Sequence, residues 1–77
     1  MLNYDSDDFR MLSWLFSCCE SYGRRTVTLE RAKGGGWSRA DFSYLASLGY
    51  VTLTTQDITI EDSGMLCYFR TYEDMIK

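Results

Sequence analysis

"GGGWSRADFSYLASLGYV", residues 34–51, is the stretch whose reading decides the fold. Three glycines disfavour helix and permit unusual backbone angles, so they end whatever precedes them and form a turn. Ser38, with Asp41 three residues on, makes a capping-box-like pair in which Asp replaces the usual Glu or Gln. The helix predicted over residues 38–48 sends Phe42, Leu45 and Leu48 inward. It leaves Arg39, Ala40, Ser43, Tyr44 and Ser47 on the outer face. Trp37, just ahead of the cap, is placed to act as a hydrophobic staple on the helix. Gly49 supplies the stop.

Downstream, "YVTLTTQDITI", residues 50–60, alternates apolar and threonine positions. Val51 and Leu53 face one way and Thr52 and Thr54 the other. Ile58 and Ile60 repeat the pattern around Thr59. This is a short hairpin turning at Thr55-Gln56-Asp57. A closing helix follows over residues 63–75, with Met65, Phe69, Tyr72 and Ile76 at helical spacing.

Upstream, residues 6–22 read as a helix. Ser6 is the N-cap, and Asp7 and Asp8 in the first turn complement the helix dipole. Phe9, Leu12, Phe16 and Cys19 form one face. Met11, Trp14, Leu15, Cys18 and Tyr22 widen the apolar surface far beyond it. A helix this apolar is central in the fold or shared with a partner. Gly23 is placed for a left-handed C-terminal cap. "TVTL", residues 26–29, allows one edge strand, and Thr28 caps a short helix near residues 29–34.

The order is helix, strand, helix, helix, hairpin, helix: an α+β chain read as one domain over residues 1–77. This order, with "WSRADFSYLASLGYV" running into the first hairpin strand and "ITIEDSG" opening the last helix, resembles the winged helix-turn-helix superfamily, particularly small MarR-like and PadR-like regulators. The resemblance implies a winged-helix fold. It also implies that Arg39, Ala40, Ser43, Tyr44 and Ser47 line the solvent face of a recognition helix. Two departures stand out. The triple glycine replaces a tight turn, and the hairpin carries no Lys or Arg, its only charge being Asp57.

Charge is uneven along the chain. Residues 24–39 carry Arg24, Arg25, Arg31, Lys33 and Arg39 against Glu30, a balance of +4, while three basic and ten acidic groups elsewhere give −7. Two functions follow from this. One is a small DNA-binding regulator, with Arg39, Ser43, Tyr44 and Ser47 at the major groove of double-stranded DNA and Arg24, Arg25, Arg31 and Lys33 on phosphates. The other is a protein-interaction module on the same fold, such as a phage-encoded or accessory factor binding a host protein. The acidic remainder, uncharged hairpin and aromatic surplus suit that class. Either is expected to form a homodimer through the helices Phe9–Tyr22 and Met65–Ile76.

Other classes are disfavoured. The chain has no histidine, so Ser-His-Asp and Cys-His arrangements and the usual neutral-pH base are missing, and it is not expected to be an enzyme. Cys18, Cys19 and Cys67 have no metal-ligand or disulfide spacing and read as small buried hydrophobes, with no metal and no cofactor expected. Lys33 precedes the glycines, the reverse of a P-loop. No apolar run approaches the roughly 20 residues of a membrane span. The first apolar cluster follows Asp5, Asp7 and Asp8 rather than a basic start, and a cytoplasmic location is expected.

Overall fold

The structure, a computed structural model, describes residues 6–76. The first helix, α1, runs Asp7–Tyr22. Ser6 Oγ accepts the Phe9 N–H at 3.2 Å, satisfying one of the unpaired donors of the first turn. At the other end Gly23 adopts φ 66°, and the N–H groups of Gly23 and Arg24 donate back to Glu20 and Cys19. This is a Schellman closure, in which glycine meets the left-handed requirement without a Cβ clash. Phe9, Met11, Leu12, Leu15 and Cys19 are all buried, a broader face than one stripe. That breadth follows from α1 packing against both the sheet and the last helix.

Strand β1 (Thr26–Thr28) leads directly into α2 (Leu29–Gly34), whose cap is Thr28 Oγ1 accepting from the Arg31 N–H. Strands β2 (Val51–Leu53) and β3 (Asp57–Ile60) form the hairpin. The sheet is antiparallel in the order β1-β3-β2, with Val27 opposite Ile58 and Val51 opposite Ile60. Alternation sends Val27, Val51, Ile58 and Ile60 into the core. On the outer face Thr26, Thr59 and Thr52 align across the three strands, with Thr26 and Thr59 hydroxyls 2.9 Å apart.

The predicted continuous helix over residues 38–48 is not what forms. Arg39–Phe42 is a 3-10 turn, and only Ser43–Ser47, here α3, is α-helical. The Asp41 carboxylate accepts from the Ser38 N–H at 2.7 Å and the Ser38 hydroxyl at 3.0 Å, while the Asp41 N–H donates to the Ser38 carbonyl. Asp is shorter than the usual Glu or Gln, so reaching Ser38 winds this turn tight. Phe42 and Leu45 are fully buried as expected. Leu48 is not: it lies beyond the last helical residue and is 41% exposed. Gly49 at φ 79° turns the chain away there, and the Tyr50 N–H donates to Leu45.

Trp37 is half-buried against the core, its N–H donating to the Ala32 carbonyl. The hairpin loop is residues 54–56, one residue earlier than predicted. Thr54 Oγ1 accepts the Asp57 N–H at 2.9 Å, and the Thr54 N–H donates to the Asp57 carbonyl. Asp57 therefore begins β3 rather than belonging to the loop.

The last helix, α4, runs Asp62–Met75. Its start is tied to the approach to β2 through Glu61 N–H to Tyr50 carbonyl and Ser63 hydroxyl to Gly49 carbonyl. Gly64, Cys67 and Thr71 face the core. The regular Met65-Phe69-Tyr72-Ile76 spacing marks a different face: Phe69 and Tyr72 are 43% exposed and Ile76 is 65% exposed. Cys19 and Cys67 are buried and Cys18 half-buried, all three as thiols.

Candidate functional site

Three surfaces carry the candidate residues. The first is the outer face of the 3-10 turn and α3. Arg39, Ala40, Ser43, Tyr44 and Ser47 are all exposed there, as their spacing predicts. Their donors are partly engaged: the Ser47 hydroxyl donates to the Tyr44 carbonyl at 2.6 Å, and Arg39 Nε makes a long 3.4 Å contact with the Thr54 carbonyl. That contact draws the Arg39 guanidinium toward the hairpin turn.

The hairpin does not project. Thr28 is the last residue of β1 and lies opposite Asp57, while the Leu29 N–H donates to the Gln56 carbonyl at 2.7 Å. All three strands thus stop at the level of the turn. Thr54, Thr55, Gln56 and Asp57 bring no cation there.

The second surface is where the remaining basic residues separate from one another. Arg25 is ion-paired with Asp62 at the start of α4, 37 positions away in sequence. Lys33 stands exposed near the end of α2. Arg24 and Arg31 converge instead on a recess of about 340 Å³, also lined by Tyr22, Thr26, Val27 and Thr28. The Arg31 guanidinium lies over the Tyr22 ring, 4.6 Å from its centroid, a cation–π arrangement that holds the side chain in place. Sequence reasoning grouped the five cations but missed Tyr22, Thr26 and Thr28 as their surroundings. Nothing local in the chain links Tyr22 to Arg31; the turn at Gly23 and the short β1 do so.

The third surface is aromatic and joins α1 to α4. Tyr68 is its centre: its ring stacks on Phe16 at 4.6 Å and on Phe9 at 5.6 Å, and meets Tyr72 at 6.2 Å. Phe69 sits edge-on to both Phe16 and Tyr68. Such pairs contribute about 0.5–1.5 kcal/mol each beyond area burial, so the array holds the two helices together. Its outer side continues into exposed Leu66, Phe69, Tyr72, Met75 and Ile76. These five make up most of the large apolar side chains that the described residues expose.

Two groups titrate away from their ordinary range. Burial pushes the Cys19 thiol up, helped by neighbouring Cys18. A side-chain hydrogen bond with Cys67, then burial, raises the Tyr50 hydroxyl. Both changes favour the neutral form, and neither group lines the recess. Among the described residues, no group of three His, Cys, Asp or Glu side chains is placed to hold a metal ion, and no helix is long and apolar enough to cross a membrane. No family model, no curated protein and no solved structure matches this chain.

Proposed function

We propose that the chain is a winged-helix protein-interaction module that docks through its α1/α4 face, its first partner being a second copy of itself. The observation that carries this is the aromatic array centred on Tyr68, whose outer side leaves Leu66, Phe69, Tyr72 and Ile76 exposed in one contiguous band. Those four side chains, each about half uncovered, offer roughly 400 Å² of apolar area per copy. With a polar rim this approaches the ~800 Å² per partner of a standard interface. A two-fold pair covers the same band on both copies at once, which is the commonest closed assembly. The order β1-β3-β2 and the helix pair before the hairpin support the winged-helix reading.

Sedimentation equilibrium at micromolar concentration is the test. The wild-type chain is expected at twice 9.0 kDa. Phe69→Glu and Ile76→Glu, which replace exposed side chains, are expected to return folded monomers. A wild-type monomer throughout the accessible concentration range overturns the self-pairing.

A second reading, duplex DNA binding, is favoured by the exposed row Arg39, Ser43, Tyr44 and Ser47. It ranks second because Arg25 is paired with Asp62 and the hairpin neither projects nor carries a cation. Four cations remain for phosphate, Arg24, Arg31, Lys33 and Arg39, so log affinity is expected to fall with log salt at a slope no steeper than about −4. Arg39 alone on the α3 face has the fork for a bidentate guanine contact, so Arg39→Ala is expected to cost about 1–3 kcal/mol and relax sequence preference. Fluorescence anisotropy at several salt concentrations decides between the readings.

A further inference from the structure

The recess beside β1 has features that neither self-pairing through α4 nor the α3 row uses. β1 is an edge strand, bonded to β3 on one side only. The Arg25 carbonyl accepts from Ile60 and the Leu29 N–H donates to Gln56, so odd-numbered residues 25, 27 and 29 turn their backbone groups toward β3. By antiparallel alternation the N–H groups of Thr26 and Thr28 point to the open edge. Val27 has its side chain in the core yet lines the recess, so it contributes backbone there. The cavity therefore lies along the open edge itself.

Two guanidiniums flank this edge, Arg24 before the strand and Arg31 after it. Among the described residues neither forms an ion pair nor donates a side-chain hydrogen bond, in contrast to Arg25. Glu30, the nearest carboxylate to Arg31 in sequence, lines an adjoining recess that Thr28 and Arg31 also border, yet it forms no ion pair with Arg31. The cation–π contact with Tyr22 holds the Arg31 guanidinium beside the edge without using its N–H groups as hydrogen-bond donors. The edge is only three residues long between the two arginines, which suits a compact group better than an added strand.

We propose that this recess is an oxyanion site in which Arg24 and Arg31, with the Thr26 and Thr28 amides, bind a compact tetrahedral dianion of the phosphate class. Two positive charges match the two negative charges of a phosphomonoester, and guanidinium forks match its oxygen geometry. Because the rest of the chain is acidic, with a net charge of −3 overall, the attraction is confined to this edge. The site stands whether or not the α4 face pairs two copies.

The test is an NMR titration of the full chain with inorganic phosphate, against sodium chloride at matched ionic strength, following the arginine Nε–H and backbone amide signals. Saturable shifts are expected at Arg24, Arg31, Thr26 and Thr28 with phosphate and not with chloride. Arg24→Gln and Arg31→Gln are each expected to weaken phosphate binding about tenfold, the loss of one charge-assisted hydrogen-bonding partner. Arg25→Gln and Lys33→Gln are expected to leave it within about twofold, since neither side chain lines the recess. Equal responses to chloride, or equal losses in all four variants, reduce the effect to diffuse charge and overturn the site. Shifts at these residues with a DNA duplex but none with free phosphate also overturn it, and transfer Arg24 and Arg31 to the DNA reading.

Discussion

A β-carbon on Gly64 would lie 2.2 Å from the carbonyl oxygen of Tyr50. The clash is with backbone that cannot step aside, because that same oxygen accepts the Glu61 N–H and fixes α4 against the entry to β2. Gly64→Ala is expected to destabilise the domain by about 3 kcal/mol, the upper end of the range for overpacking. Urea denaturation measures it, and a loss below about 1 kcal/mol would mean that α4 rides up freely.

The three consecutive glycines are expected to behave differently from one another. A Cβ on Gly35 would come within 2.9–3.0 Å of the Trp14 indole, while one on Gly34 meets nothing within 4 Å. Gly35→Ala should push Trp14 outward, costing about 1–2 kcal/mol and shifting tryptophan emission to longer wavelength. Gly34→Ala ends α2 at an unstrained position and should be neutral or add about 0.4–1 kcal/mol. Equal effects at both positions would count against the Trp14–Gly35 packing.

Stability is expected to fall in alkali. Cys19 and Tyr50 hold their protons more tightly in the folded chain than their ordinary values of 9.0 and 10.0 allow. With folded values raised, the stabilisation is complete below the unfolded values. It is lost as pH rises past them, because the unfolded chain ionises first. The denaturation midpoint should therefore be level from pH 7 to about pH 8.5 and decline above it. Cys19→Ala should remove the earlier part of the decline and Tyr50→Phe the later part.

The Arg25–Asp62 pair is expected to matter little to stability. Its side chains are 56% and 86% exposed. A double-mutant cycle with Arg25→Ala and Asp62→Ala should give a coupling of about 0–1 kcal/mol that shrinks with added salt. A coupling above about 2 kcal/mol would show that the pair anchors α4.

Local signals carried the fold a long way. Ser6, Thr28, Gly23 and Gly49 each act at an element end as their residue type predicts, because capping depends on neighbours within a few positions. The hairpin alternation also held, since Val51, Ile58 and Ile60 share the buried face. What failed was length and direction within residues 38–48. Asp41 looked like an ordinary capping-box partner, but the first turn is 3-10, and at the other end Leu48 falls past the last helical residue, where Gly49 turns the chain. On α4, spacing alone identified the exposed stripe rather than the core face. The core face uses Gly64, Cys67 and Thr71, small side chains that no apolar periodicity would select.

Of the candidate sites, residue identity was legible and grouping was not. Arg24 and Arg25 are adjacent, yet one enters the recess with Arg31 and the other pairs with Asp62. Both lie in the connection ahead of β1 and border a common recess with Phe16 and Met65, but their partners Arg31 and Asp62 lie 7 and 37 positions away, beyond any local rule. The Phe16–Tyr68 stack joins the two ends of the chain for the same reason.

The strand order β1-β3-β2 also dictates when the protein can fold. The central strand is the last to be made, so β1 emerges from the ribosome about thirty residues before it has anything to pair with. Until Ile60 appears, Val27 and Val51 have no sheet to enter and Leu12 and Leu15 have no floor to cover. The local β2–β3 hairpin is expected to close first, at little entropic cost, and to form the folding nucleus, with β1 and α1 docking across the longer loop after the barrier. Substitutions in Thr54–Asp57 should accordingly change the folding rate, and those in Thr26–Thr28 the unfolding rate.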